Sequence, residues 1–321
     1  MMLIGGGFMK VVFTVDYNQE KFDQIRALGY ELEYVNEDKI DESTFPYDAD
    51  ILVCFKALDH LDLDKFTKLK YIMLTSIGFD FTPNDKILEK NITLINNQGG
   101  YSIPMGEFIV FNILQLAKQN RSFMDNQKAK KWKLNTSMTE VYGKTALFLG
   151  TGTIAQEGAK RLQGFGMNVI GMNTDGRAVE YFDETVPLNQ YREIFPKADY
   201  LISVLPSTEN TVHFLDKEKL SLLPKGASVI NVSRGSIINE MDLTELLAKG
   251  HLGGAALDVF EVEPLPQDSA LWDMENVYVY PHSSWVSERM RDRRLDLRYE
   301  NLKRLKNGEK PKNIVNIQRG Y

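Results

Sequence analysis

The chain has 321 residues, with 38 Lys and Arg against 44 Asp and Glu and a formal net charge of −6 at pH 7. That length predicts two domains, each large enough to bury its own core. The acidic balance, with cations interspersed among carboxylates, excludes a basic face of the kind that displaces counterions from nucleic acid. The single cysteine, Cys54 in the apolar run ILVCF, excludes an internal disulfide framework and fits a buried thiol in a reducing compartment.

The opening MMLIGGGF is far too short to span a membrane and lacks the basic n-region and cleavage site of a signal peptide, so the chain reads as soluble and cytoplasmic. Gly5 to Gly7 precede the first strand instead of following one, which makes them a poor phosphate loop, and the fold is expected to start at Met9. From Lys10 come KVVFTV, an amphipathic helix near Glu20 to Leu28, then ELEYV, ILVCF, YIMLT and NITLI. Short apolar runs separated by helical crossovers predict a parallel sheet covered on both faces. Ile103 to Lys118, IPMGEFIVFNILQLAK, has apolar positions at helical spacing and predicts a long helix joining two lobes. The strand pattern restarts at Thr145 with TALFLG, MNVIGM, YLISVLP, SVINVS, GAALDV and VYVYPH.

After His282 the segment Ser287 to Lys306 is charged and amphipathic, with Leu295, Tyr299, Leu302 and Leu305 on one side. It has no strand partner left in the second lobe, so it is expected to cross back to the first, with hinges near 100–104 and 285–290. Arg289, Arg291, Arg293 and Arg294 alternate with Asp292 and Asp296, which predicts a solvated helix face. The expected architecture is α/β with two doubly wound parallel-sheet lobes, residues 1–100 plus 288–321 and residues 101–287.

Gly150, Gly152 and Ala155 form G-x-G-x-x-A between an apolar strand and a helix. Gly150 permits the tight turn, Gly152 lets backbone approach a pyrophosphate, and Ala155 lets helix and strand pack closely. The free N–H groups of the helix start, at Thr153 and Ile154, then face the phosphates. A glycine triplet alone is a weak signal; this placement makes it a dinucleotide cradle, with Leu205, Pro206 and Val232 at later strand ends as further expected cofactor contacts. An NAD site normally carries a carboxylate at the tip of the second strand for the ribose 2′-hydroxyl. Here the tip is Asn173-Thr174, with Asp175 late and Arg177 close behind, so nothing repels a 2′-phosphate and these residues can donate to it. NADP is favoured; in the alternative, Asp175 reaches back to the ribose, Arg177 points to water, and NAD is bound.

Arg234, Glu263 and His282 each end an apolar run, where a parallel sheet gathers reactive side chains. Reduction of a 2-keto acid needs a hydride at the carbonyl carbon and a proton at its oxygen; histidine suits the proton transfer, and a planar guanidinium suits a carboxylate beside a carbonyl. Taken singly, each residue has a structural reading as a surface salt bridge, a strand end or a buried histidine. Their joint placement on successive strand ends favours chemistry. His60, His213 and His251 have no comparable partners in the pattern. No metal site is expected.

With Arg234 in NVSRGSIINE, Glu263 in LDVFEVEPLP and His282 in YPHSSW, together with TSIGFD, NQGGYSIPMGE and VLPSTENT, the sequence resembles the D-isomer-specific 2-hydroxyacid dehydrogenases. The resemblance covers nearly the whole chain and implies a Rossmann cofactor domain and a flavodoxin-like substrate domain. It also implies that Arg234 holds the substrate carboxylate and carbonyl, His282 is the acid/base, Glu263 bonds the far side of its imidazole, and Asp258 contacts the nicotinamide end. The backbone of Ile77 and Gly78 would bind the carboxylate, and Phe55, Tyr101 and Trp285 would line the pocket. Such enzymes are usually homodimers built through the cofactor lobes. A glyoxylate or hydroxypyruvate type of substrate is favoured. The alternatives are a dinucleotide-sensing, corepressor-like protein, which has no need of a proton donor, and 3-phosphoglycerate oxidation, which needs extra cations such as Lys56 or Arg121. Trp285 and Asn173 depart from the family pattern, at a position commonly small and one commonly acidic.

Overall fold

The computed structural model describes residues 9–320, so the expectations for the N-terminal stretch and Gly5 to Gly7 lie outside the described residues. The chain divides into two compact units, residues 1–101 with 288–321, and residues 102–287.

In the first unit β1 (Lys10–Phe13), α1 (Gln19–Ala27), β2 (Glu31–Tyr34), β3 (Ile51–Cys54), β4 (Tyr71–Leu74), α2 (Asn84–Glu89) and β5 (Thr93–Ile95) build a sheet of order β2-β1-β3-β4-β5 with every pairing parallel. This is the flavodoxin-like order, whose direction reverses between β1 and β3. Alternate residues serve opposite faces. Val12, Leu52, Cys54, Ile72, Leu74 and Leu94 pack on one side, and Val11, Phe13, Ile51, Val53, Met73 and Ile95 on the other. Cys54 is completely buried, and burial pushes its thiol up. Above the reversal, the Glu37 carboxylate accepts from Thr14 Oγ1 (2.5 Å), Phe55 N (2.9 Å) and Lys56 N (2.6 Å), closing that crevice with the chain's own acid.

The second unit runs α3 (Ser102–Ala117), α4 (Asn120–Lys128), β6 (Thr145–Leu149), α5 (Thr153–Gln163), β7 (Asn168–Asn173), β8 (Glu184–Pro187), α6 (Tyr191–Ile194), β9 (Tyr200–Ser203), α7 (Lys217–Ser221), β10 (Ser228–Asn231), α8 (Glu240–Ala248), β11 (Gly254–Leu257) and β12 (Val277–Val279). Its seven strands lie in the order β12-β11-β10-β9-β6-β7-β8, all parallel, the Rossmann arrangement with one added edge strand. Sequence patterning misses β8 and α4: the first is a short edge strand ending in Pro187, and the second has no buried residue to set a period. Close approach of α3 to α5 depends on Gly106, where a Cβ would stand 2.7 Å from Glu157 Cβ.

The helix α9 (Met290–Lys306) belongs to the first unit. Leu295 and Leu302 are buried beside Phe22 and Ile25, Tyr30 donates its hydroxyl to the Leu302 carbonyl (2.8 Å), and Ile314 bridges Ile95 antiparallel beyond β5. Arg289 and Arg291 are exposed, but the expectation of a wholly solvated basic face fails at Arg294, whose Nε is buried and whose guanidinium lies 5.8 Å from the centre of the Tyr101 ring. One turn on, Arg298 is only 3% exposed. Residues four apart share a helix face, so Arg294 and Arg298 point inward beside Leu295 and Leu302.

Candidate active site

The glycine turn follows β6. Gly150 adopts φ +96°, where a side chain would be strained, and its ideal Cβ would lie 3.0 Å from the Val204 carbonyl oxygen. Gly152 precedes α5 with no side-chain cap, and a Cβ there would meet nothing within 4 Å. The first N–H groups of α5, from Thr153 and Ile154, thus carry the helix's positive end into uncrowded space. Thr153 Oγ1 accepts from Ser102 Oγ (2.8 Å), and Ala155 is fully buried against the sheet. Strand order reverses between β6 and β9, so the buried Leu205 and exposed Pro206 after β9, and the buried Val232 after β10, sit along the same carboxyl edge. These residues fit a nicotinamide dinucleotide by the donors and space they offer to a pyrophosphate.

At the tip of β7 the geometry corrects one expectation. The Asn173 side chain is 5% exposed, donates to Thr151 Oγ1 (3.2 Å) and the Arg177 carbonyl (2.9 Å), and accepts from Gly176 N (2.6 Å). It shapes the turn and has no donor left for a 2′-phosphate. Thr174 is exposed. Arg177 pairs with Asp175 at 2.8 Å, both side chains 57% exposed, and this guanidinium holds the Asp175 carboxyl below its usual range.

Glu263 and His282 meet: Glu263 Oε2 lies 2.9 Å from His282 Nδ1, while Oε1 accepts from Phe260 N (3.1 Å). His282 has φ +52°, a left-handed conformation uncommon outside glycine, and Trp285 donates its indole N–H to the His282 carbonyl (2.8 Å). Asp258, just after β11, is fully buried; its two oxygens accept from Ser283 N (2.7 Å) and Ser284 N (3.0 Å). Burial raises the Asp258 carboxyl above its usual range, and the two amides oppose that rise. Asp258 and Trp285 therefore act first on the loop that carries the imidazole, a role that sequence reading missed because the partners lie 25 residues apart for Asp258.

Arg234 follows β10 in extended backbone; its carbonyl accepts from Asn231 Nδ2 (3.0 Å), and Nη1 donates to Ser233 O (2.9 Å). The Asn231 side chain also accepts from Ser233 N (3.1 Å), a local turn signalled by N-x-S at a strand end. His213, expected to lack a partner, has Nε2 3.1 Å from Glu261 Oε1. Arg121 donates to the Met274 and Val277 carbonyls beside the edge strand β12, which accounts for its guanidinium structurally.

In the first unit, Ile77 and Gly78 end the segment after β4. Asn96 Nδ2 donates to the Ile77 carbonyl (3.0 Å), Ser76 Oγ to the Gly78 carbonyl (2.7 Å), and the Tyr101 hydroxyl to the Thr75 carbonyl (2.6 Å). Tyr101 is 9% exposed and braces this segment, and burial raises its phenol. Phe55 is exposed against Phe81 (ring centres 5.7 Å), with Lys56 Nζ over its ring. Among the described residues no group of three His, Cys, Asp or Glu side chains is placed to hold a metal.

Residues 110–284 match the family model for the D-isomer specific 2-hydroxyacid dehydrogenase, NAD binding domain. The chain belongs to the D-isomer specific 2-hydroxyacid dehydrogenases. A glyoxylate reductase from Korarchaeum cryptofilum is 32% identical over 283 residues, covering 84% of this chain and 83% of the relative. The D-3-phosphoglycerate dehydrogenase of Methanocaldococcus jannaschii is 31% identical over 280 residues, but the match spans 52% of that longer protein. Among solved structures, a D-isomer specific 2-hydroxyacid dehydrogenase from Xanthobacter autotrophicus in complex with NADPH and MES superposes with a TM-score of 0.82 at 25% identity, covering 98% of this chain and 100% of that one. The NADPH-dependent glyoxylate/hydroxypyruvate reductase of Sinorhizobium meliloti, in complex with NADP and sulfate, gives 0.80 at 25% identity over 98% and 100%. As a 2-hydroxyacid dehydrogenase the protein is an NAD(P)-dependent oxidoreductase with two parallel-sheet α/β regions.

Proposed function

We propose that this dehydrogenase reduces a small 2-keto acid of the glyoxylate or hydroxypyruvate type to the D-2-hydroxy acid, with NADPH as the preferred donor. The observation that carries the proposal is the Glu263–His282 pair at 2.9 Å, on the sheet whose β6 turn forms the glycine cradle. Bound NADPH supplies the hydride to the carbonyl carbon. Glu263 holds Nδ1, which leaves His282 Nε2 to give the carbonyl oxygen its proton. Arg234 is the residue assigned to the carboxylate and to polarising the carbonyl, because a guanidinium bonds two oxygens side by side. The Ile77 and Gly78 backbone is assigned to the same carboxylate and Trp285 to the pocket wall, while Asp258 and Tyr101 serve as positioning residues. The cofactor assignment is supported by the missing carboxylate at position 173, by neutralisation of Asp175 through Arg177, and by the NADP-bound relatives.

A homodimer through the second units is part of this reading. It is supported by the side chains of Phe111, Met124, Trp132, Leu134 and Tyr142, which are 51%, 47%, 106%, 78% and 76% exposed on that unit. A cytoplasmic location is supported by a lone buried thiol, and no helix among the described residues is long and apolar enough to cross a membrane.

Turnover of glyoxylate and hydroxypyruvate with NADPH and with NADH tests the proposal. NADPH should give the higher kcat/KM, and Arg177→Ala should narrow the difference. Reduction consumes a proton and should slow as pH rises, whereas the reverse oxidation should speed up. His282→Ala should lower turnover about a hundred- to ten-thousand-fold while cofactor still binds. Near-normal turnover in that variant would place the proton donor elsewhere.

A further inference from the structure

The first unit holds two guanidinium groups that no carboxylate neutralises. Arg294 and Arg298 lie one turn apart on α9, and among the described residues neither has an acidic side chain within ion-pair distance. The charged and titratable groups around Arg298 are Tyr17, Arg294, Tyr101 and Cys54, so its nearest formal charge is another cation. Arg298 donates to the Leu74 carbonyl (2.7 Å), to Asn97 Oδ1 (3.2 Å) and to the Arg294 carbonyl. Those acceptors supply hydrogen bonds but no net charge.

Four buried polar atoms in this neighbourhood have no partner at all: Arg298 Nε, Arg294 Nε, Asn97 Nδ2 and the Tyr17 hydroxyl. Arg298 and Asn97 are 3% and 1% exposed, so water from the bulk does not serve them freely. A buried cation without a counter-charge is costly, and buried donors without acceptors are rare in folded proteins. Both anomalies would be removed by one thing, an anion.

The place is also informative. Tyr17 follows β1, Leu74 ends β4 and Asn97 follows β5, so the cluster lies on the carboxyl edge of the sheet, where open α/β sheets take their ligands. Glu37 already fills the donors between β1 and β3, which leaves the β4 and β5 side unfilled. There the same residues hold the segment that leads to Ile77 and Gly78. Arg298 takes the Leu74 carbonyl, and Asn97 N donates to the Ser76 carbonyl (2.8 Å).

We infer that Arg294, Arg298, Asn97 and Tyr17 form a second anion site, and that the substrate is a 2-keto acid bearing a further anionic group of carboxylate, phosphate or sulfonate chemistry. The inference rests on the keto-acid reading above and narrows it to dianionic substrates. Arg298 ties strand ends together and lies in the core; Arg294, half-buried and bonded to less, is the position to vary.

The test compares kcat/KM for oxaloacetate, 3-phosphohydroxypyruvate and sulfopyruvate with that for 2-oxobutanoate and hydroxypyruvate, in wild type, Arg294→Gln and Arg294→Lys. At least one anion-bearing acid should be favoured about a hundredfold in the wild type, and which one identifies the distal group. Arg294→Gln should collapse the ratio at least tenfold, and Arg294→Lys should recover part of it. A wild type that favours the neutral side chains, or a ratio indifferent to Arg294→Gln, overturns the site. A second readout needs no turnover: inorganic phosphate or sulfate should raise the wild-type Tm above a sodium chloride control of equal ionic strength, and should do so less in Arg294→Gln. Anion protection without reduction of any keto acid would sink the keto-acid reading and keep the site. Reduction of neutral acids without anion protection would do the reverse.

Discussion

A methyl group added at Gly235 would stand 1.9 Å from the Phe260 carbonyl carbon and 2.4 Å from Glu261 N. The residue after Arg234 must therefore be glycine for the β10 loop to lie against the loop carrying Glu263. Asp258 works on the other side of the same sheet end. Burial raises its carboxyl above the ordinary value of 3.8, so between those two values the folded chain binds more protons than the unfolded one. Stability attributable to Asp258 accordingly falls as pH climbs through that window, and at neutral pH this carboxylate positions the Ser283 and Ser284 amides at a cost. Asp258→Asn removes the titration. Its urea midpoint, measured relative to wild type, should rise as pH increases from about 3.8 upward. The variant's turnover should drop, because one amide oxygen cannot serve both N–H groups. Parallel pH curves for the two proteins would contradict this account.

Among the elements, α3 shows how an apolar helix carries buried polar groups. Asn112 is fully buried and Gln115 is 9% exposed, yet both bond the Tyr280 hydroxyl at 2.7 Å, which joins the helix to the residue following β12. Tyr280→Phe leaves both amides short of a partner and should cost about 1–3 kcal/mol, the penalty of an unsatisfied buried polar group. Thermal unfolding of the variant measures it, and an unchanged Tm would mean that water replaces the hydroxyl. The apolar period of α3 is legible in the sequence; its polar positions take meaning only from Tyr280, 165 residues on from Gln115. For the same reason α9 was legible as amphipathic through Leu295 and Leu302, while Arg294 and Arg298 read as solvent-facing charge until the helix face was known.

At the level of the whole molecule the chain leaves the first unit after Tyr101, completes the second, and returns at Glu288. The first unit is thus discontinuous, and its sheet is covered by α9. Ending the chain after Ser287 would remove Leu295 and Leu302, each worth roughly 1.5–3 kcal/mol as a buried side chain, together with the Ile314 bridge to Ile95. Against a total stability of about 5–15 kcal/mol such a loss is large. The truncated protein should show early unfolding or proteolysis of residues in 9–101, with NADPH binding by residues 102–287 retained. One wild-type-like melting transition would argue that α9 contributes little.

What the amino-acid order by itself determined are the features written in neighbouring residues. Apolar runs such as KVVF and ILVC make buried parallel strands, the G-x-G-x-x-A turn opens α5, and Arg234, Glu263 and His282 stand at strand ends. Periodicity and turn chemistry are local, so they survive without knowledge of the fold. Tertiary structure alone decided where side chains found partners across long stretches of chain. It set Asn173 into its turn, gave Glu261 to His213, placed Asp258 under the Ser283–Ser284 amides, and turned Arg294 and Arg298 inward. Those outcomes depend on strand order and helix rotation, because a hydrogen bond requires an approach to about 3 Å that sequence spacing does not encode.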